Sequence, residues 1–201
     1  MLLPINPDHP EPRKIQRAVE LLNQGGVIAY PTDTVYGIGC DLMCKSAIER
    51  IYQLKGMQKD KSLAFICPDL SDISRYAIVE NAHYRVMKRV LPGPYCFILQ
   101  ATREVPKIVH LKQKTVGIRV PAHPVTIALV RALGRPLIST TAAMTGSEPL
   151  IDPWEIQEQF AGLDLILDGG TGGSTPTTVV DLSQGDVHIV RVGAGPVDAL
   201  V

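Results

Sequence analysis

Hydroxyls, a carboxylate and a phenol crowd one short segment of this chain: Thr32, Asp33, Thr34 and Tyr36, within GGVIAYPTDTVYGIGCD (residues 25–41). Ser139, Thr140 and Thr141 form a second hydroxyl cluster, and Thr177 with Thr178 a third. Two arginines stand in apolar surroundings, Arg119 within VGIRVP and Arg191 within IVRVG. Hydroxyls and backbone amides suit phosphate oxygens and small zwitterions. Arginine grips phosphate or carboxylate with two prongs, which lysine cannot do. Polar groups gathered at the end of a buried strand must find partners or cost free energy.

Each group also has a plain structural reading. Clusters of Ser and Thr commonly satisfy local turns. An arginine in a strand commonly forms a salt bridge or lays its stem along apolar surface. Lys55, Lys59 and Lys61 follow a predicted helix end, where they either complement the helix dipole or form a basic loop that closes over an anionic ligand. A binding site requires these segments to converge, and spacing alone does not decide that.

Other chemistries lack their signatures. The five histidines (His9, His83, His110, His123 and His188) show no HExxH or other metal spacing, so no metal ligand is assigned. GGTGGS, Gly169 to Ser174, is glycine-rich but has neither the lysine nor the following helix of a phosphate-binding loop, and reads as a flexible turn. No GxSxG elbow or nucleophilic cysteine motif is present. The expected chemistry is binding, orientation and charge stabilisation without a covalent enzyme intermediate.

The elements that must position these residues alternate. Arg13 to Gln24 reads as an amphipathic helix stopped by Gly25 and Gly26. The apolar run Val27–Tyr30 reads as a buried strand ending at Pro31, which cannot donate to a sheet ladder. Lys45–Leu54 is a helix closing at Gly56, and Leu63–Cys67 a short strand. Asp69 and Asn81 are candidate N-caps of two further helices. The turn Leu91–Pro94 precedes a strand at Tyr95–Ala101, and Thr115–Val120 is a strand stopped by Pro121. A helix at Pro124–Leu133, a strand at Leu137–Ile138, a helix near Pro153–Phe160 and strands near Leu165–Asp168, Thr178–Asp181 and Val187–Val190 complete the pattern. Alternation of this kind predicts an α/β fold with a mixed sheet.

With 201 residues, 45% hydrophobic and 20% charged, the chain has the composition of one soluble globular domain. Its formal net charge of zero argues against coating nucleic acid by bulk charge, though not against a local basic cleft. No apolar stretch approaches the roughly 20 residues of a membrane span. Prolines and acids interrupt the N-terminal residues, so no secretory leader is expected. Cys40, Cys44, Cys67 and Cys96 form no CxxC pair and read as reduced packing residues of a cytoplasmic protein.

In order, the run GGVIAYPTDTVYGIGCD, the turn LPGPY, the block TVGIRVPAHP, the segment PLISTTA, the pair PTTVVDL and the tail VRVGAG resemble the YrdC/Sua5/YciO family. The resemblance spans roughly Arg13 to Val201, with the motif-bearing core at about 13–195 of a single domain. It implies a single twisted α/β domain, a mixed sheet with flanking helices around a basic concave cavity. It also implies threonylcarbamoyl-AMP synthase activity, a nucleotidyl transfer joining L-threonine, bicarbonate and ATP with release of pyrophosphate. The product feeds the threonylcarbamoyladenosine (t6A) modification of tRNA. By this resemblance Thr32 contacts the threonine, Arg119 clamps its carboxylate and Thr177 supplies a hydroxyl near the amino-acid end. Lys55, Thr115, Thr141 and Arg191 belong to the nucleotide site, with Lys55 and Arg119 as the catalytic pair. Mg²⁺ arrives with ATP, and no tightly bound cofactor is implied. Implied partners are tRNA or double-stranded RNA and proteins of the t6A pathway.

The departures are equally specific. Met57 stands where the synthases carry the arginine of a Lys-x-Arg pair, Ile66 where a histidine is expected, and Ala143 where an asparagine follows the hydroxyl motif. These positions, and the spacing through Cys67, make the chain most similar to the YciO branch. Two alternatives to the synthase therefore stand: a non-catalytic nucleotide- or RNA-binding module, and a ligase for another small amine or amino acid.

Overall fold

One face of a single mixed sheet explains where the polar segments go. The structure is a computed structural model and describes residues 1–57, 63–71, 73–106 and 114–200. Eleven strands are present among these residues: β1 (Leu2–Pro4), β2 (Val27–Tyr30), β3 (Gly37–Asp41), β4 (Ala64–Ile66), β5 (Ala77–Ile78), β6 (Tyr95–Ala101), β7 (Thr115–Arg119), β8 (Leu137–Thr141), β9 (Leu165–Asp168), β10 (Thr178–Asp181) and β11 (His188–Arg191). They run in the order β1-β9-β2-β3-β8-β4-β7-β6-β10-β11, with β5 added beside β6. Six helices flank the sheet: α1 (Pro12–Asn23), α2 (Lys45–Leu54), α3 (Ile73–Tyr76), α4 (Asn81–Val90), α5 (Pro124–Leu133) and α6 (Pro153–Gln159). The α/β class and mixed single sheet match the sequence reading.

Alternation along each strand divides the core in two. One side receives Val27, Ala29, Ile38, Cys40, Phe65, Phe97, Val116, Ile118 and Ile138, packed with Ile48, Ile51 and Tyr52 of α2. The other side receives Ile28, Tyr30, Ile66, Leu137, Leu165 and Leu167. There α1 buries Ile15, Ala18, Val19 and Leu22, and α5 buries Val125, Leu129, Val130 and Leu133. Spacing of i, i+3, i+4, i+7 puts the four α1 residues on one stripe. Each such aliphatic side chain stabilises by about 1.5–3 kcal/mol when fully buried. On this second face the row that continues across β3, β8, β4 and β7 is made of small residues. Gly39 pairs with Ser139, Ser139 with Ala64, and Ala64 with Gly117. Small side chains leave a trough where larger ones would have filled the surface.

Several boundaries correct the sequence reading. β1 and β3 are strands that the apolar pattern did not reveal. In β3 the cause is steric: a Cβ on Gly37 would lie 2.8 Å from the Tyr30 ring, and one on Gly39 would lie 2.7 Å from the Ile138 carbonyl oxygen. The strand needs its glycines, and glycines weaken a strand signal. Asn81 is not a cap. It is the first residue of α4, after Glu80 in extended conformation with no side-chain cap bond. Asp69 closes a turn by accepting from Ser71 N at 2.8 Å, ahead of the four-residue α3. Gly134, at φ 73°, ends α5 as expected.

Candidate functional site

The segment from Pro31 to Tyr36 is the connection of an antiparallel hairpin, since Tyr30 pairs with Gly37. Its turn is built by its own side chains. Thr32 Oγ1 donates to Val35 O at 2.6 Å and accepts from Thr34 N at 3.1 Å. Thr126 of α5 donates to Pro31 O at 2.6 Å and ties the connection to the helix. Tyr36 reaches the glycine-rich segment, donating to Gly170 O at 2.7 Å and accepting from Gly169 N at 3.1 Å. The segment Gly169 to Ser174, read as a flexible turn, is thus held at its start by the Tyr36 phenol.

Arg119, the last residue of β7, points at this connection. Its Nη2 donates to Asp33 Oδ1 at 2.5 Å, Thr34 Oγ1 at 2.7 Å and Thr32 Oγ1 at 3.0 Å. Asp33 Oδ2 also accepts from Ala122 N at 3.0 Å, fastening the turn that follows β7. Arg119 is 9% exposed, and its Nε is buried with no hydrogen-bond partner. A guanidinium held in place by three oxygens keeps its orientation for an anionic oxygen.

A cavity of about 330 Å³ opens beside it. Arg119, Ser139, Thr140, Thr141, Thr177 and Arg191 supply its polar lining. Leu63, Ala64, Ile66, Cys96, Ile98 and Val179 supply the apolar part, and Gly117 lies beneath Cys96, where a Cβ would come within 3.2 Å of the thiol. Burial pushes the Cys96 thiol up to about 11, although Arg119 and Arg191 both favour the thiolate. This cysteine is a protonated wall residue at neutral pH, consistent with the absence of a nucleophile motif.

The structure brings together most of the residues singled out from sequence. Arg119, Thr141, Thr177 and Arg191 share the cavity. Arg191 folds back on Thr177, with Nε 3.1 Å and Nη2 2.9 Å from the Thr177 carbonyl and Nη2 3.1 Å from its hydroxyl. Thr32 stands one hydrogen bond behind Arg119. Lys55 is buried behind the hydroxyl cluster, donating from Nζ to Thr141 O at 2.5 Å and to Thr140 Oγ1 at 3.2 Å. Thr115 shares the face of Gly117 and Arg119 but lies at the far end of β7, outside the described lining. Lys59, Lys61 and His110 lie outside the described residues.

Ser139, part of the hydroxyl cluster read from sequence, lies on the floor, whereas sequence reasoning missed the floor residues Cys96 and Gly117. A detectable signal existed: small or hydroxyl residues at alternate positions in segments otherwise rich in large aliphatics. The departures are placed as well. Ile66 is buried, lines the cavity and pairs with Arg119 across β4 and β7. Met57 is half-buried and packs against the core, and Ala143 is buried. No group of three or more His, Cys, Asp or Glu among the described residues could hold a metal ion. Among the described residues, the cavity lining includes no carboxylate to hold Mg²⁺. No helix among them is long and apolar enough to cross a membrane.

Residues 20–193 match the model of the Sua5/YciO/YrdC domain, described as telomere recombination. The chain belongs to the Sua5/YciO/YrdC family. Within it, the chain is 44% identical over 196 residues to the uncharacterized protein YciO of Escherichia coli K12, covering 96% of this chain and 95% of that one. It is 38% identical over 161 residues to a threonylcarbamoyl-AMP synthase of Nitrosococcus oceani, covering 79% and 87%. The crystal structure of E. coli YciO superposes with a TM-score of 0.96 at 42% identity, over 100% of this chain and 99% of that chain. The P. abyssi Sua5 structure, complexed with L-threonine, superposes at 0.92 with 26% identity, over 98% of this chain and 59% of that longer one. The Sua5/YciO/YrdC fold therefore extends over nearly the whole chain, its trough included.

Proposed function

We propose that this chain is a threonylcarbamoyl-AMP synthase-like nucleotidyltransferase of the cytoplasm, using L-threonine, bicarbonate and ATP and feeding the t6A modification of tRNA. The observation that carries this reading is Arg119, which lines the cavity while Thr32, Asp33 and Thr34 hold its guanidinium in place. It is matched to the carboxylate of a small amino acid, and a family member is known in complex with L-threonine. Four free cysteines support the cytoplasmic placement.

In this account Arg119 takes the threonine carboxylate, while Thr32, Asp33 and Thr34 hold the guanidinium so that little orientation is lost on binding. Thr177 closes the amino-acid end. Thr141 and Arg191 face the phosphates, with Thr115 further along the same face. Lys55 adds a positive charge behind Thr140 and Thr141. The threonine amine forms a bond to the bicarbonate carbon as a C–O bond breaks and water leaves, which gives a carbamate. Its oxygen forms a bond to the α-phosphorus of ATP as the bond to pyrophosphate breaks. The charge gathered on the leaving oxygens is what Arg191 and Lys55 would stabilise. Mg²⁺, carried on the triphosphate, supplies further charge neutralisation when bound. Proteins of the t6A pathway that take up the product are the corresponding partners.

A second reading has specific support. Ile66 beside Arg119 and Met57 packed on the core remove two polar contacts of the synthase pattern, which suits a protein that holds a nucleotide or RNA without turnover. Calorimetric titration of L-threonine in the presence of ATP separates the two. The synthase reading requires saturable binding by the natural protein and its loss in Arg119→Ala. Absence of threonine binding by the folded natural protein overturns it, and tRNA binding that weakens steeply with salt would then favour the second reading.

A further inference from the structure

Tyr30 is fully buried on β2, yet its hydroxyl reaches across Gly37 to the floor of the cavity. There it donates to Ser139 Oγ on β8. Gly37 makes this crossing possible: a Cβ at that position would lie 2.9 Å from the Tyr30 oxygen and 3.1 Å from Ser139 Oγ. Ser139 is the polar member of the trough row Gly39, Ser139, Ala64 and Gly117, and it lines the cavity. A serine hydroxyl carries one donor and two acceptor lone pairs. With the phenol donating to it, Ser139 must direct its own hydrogen elsewhere. Within the protein it has Ile38 O at 3.4 Å, the outer limit of a hydrogen bond. The other direction is into the cavity.

We propose that Tyr30 is a positioning residue that fixes the Ser139 hydroxyl as a hydrogen-bond donor to an anionic oxygen of the cavity ligand. The inference rests on the synthase reading and adds a specific donor to it, on the floor of the trough, on strand β8 rather than β7. Burial holds the phenol near 12, so it remains protonated and remains the donor throughout the physiological range. A phenol that merely needed satisfaction would be content with a backbone carbonyl. Here it selects a side chain whose remaining hydrogen has poor protein partners and an open cavity beside it.

The test uses Tyr30→Phe, which removes one oxygen and keeps the ring, with Ser139→Ala and the double variant. Binding of L-threonine in the presence of ATP is measured by calorimetry, and thermal unfolding is measured without ligand. Each single variant is expected to bind about tenfold more weakly, the size of one hydrogen bond to a charged group. The double variant should bind no more weakly than Ser139→Ala, because the phenol acts through the serine. A Tyr30→Phe protein that melts earlier but binds threonine and ATP as the natural protein does overturns the inference and leaves the synthase reading intact. Losses that add in the double variant overturn it equally. A natural protein that binds neither ligand overturns the synthase reading and this inference together.

Discussion

Asp33 Oδ1 lies 2.5 Å from Arg119 Nη2, and the two side chains are each only 10% exposed. The pair joins the β2–β3 connection to the end of β7, so it builds the wall of the cavity as well as orienting the guanidinium. A paired charge this buried is strongly destabilised when one partner is removed.

Asp33→Ala is therefore expected to lower stability by about 3 kcal/mol, since it leaves the Arg119 charge without its counter-ion. In a chain of this size that is a fall of roughly 10 °C in midpoint. The double variant Asp33→Ala, Arg119→Ala should be less destabilised than the sum of the two singles, by about 1 kcal/mol or more. Additive losses in chemical denaturation would show that the two side chains act independently.

His123 makes a prediction about pH. It is the N-cap of α5, and its Nδ1 accepts from Val125 N at 3.3 Å, which only the neutral ring can do. Burial is the main cause that lowers its pKa below 6.5. Asp33 and Asp8 oppose the shift, and Arg119 reinforces it. The unfolded state then binds the proton more readily than the folded state. The stabilisation is full above the unfolded value and is lost as pH falls through it toward the folded one. Replacing His123 with Asn keeps a capping group and removes the titration. Denaturation of both proteins at about pH 8 and about pH 5 should show a smaller acid loss in the variant. Equal losses would mean that His123 does not titrate with folding.

The trough and its flanking strands show how far the sequence carried this structure. Long periodic segments such as α1 and α5 were legible because their apolar stripes and glycine stops are strong local signals. Val27–Tyr30 was legible from its unbroken apolar run. β3 was not, because Gly37 and Gly39 are demanded by Tyr30 and by the Ile138 backbone, contacts remote in sequence. The convergence of Arg119 with the Thr32–Thr34 turn was likewise invisible to spacing, since it depends on the order of strands in the sheet. The resemblance named Arg119, Thr141, Thr177 and Arg191, which do share one cavity. Ser139 was legible as a member of a hydroxyl cluster, but its link to the Tyr30 phenol was not, because that phenol arrives from β2.

Met57 tests whether the departure from the synthase pattern limits turnover. Its side chain is half-buried against the core, where a long cationic side chain can lay its stem on apolar surface and keep its charged head in water. Met57→Arg should raise turnover of ATP about tenfold or more, the gain from one charged phosphate contact of about 1.5–3 kcal/mol. Unchanged rates across ATP concentrations would show that this position does not limit the reaction.

Release of pyrophosphate from ATP tests the central claim most directly. With purified natural protein, pyrophosphate should form only when L-threonine and bicarbonate are both present, and its formation should fall at least tenfold in Arg119→Ala, about the loss of one charge-assisted contact. Folded natural protein that releases no pyrophosphate, or releases it regardless of threonine and bicarbonate, would contradict the account.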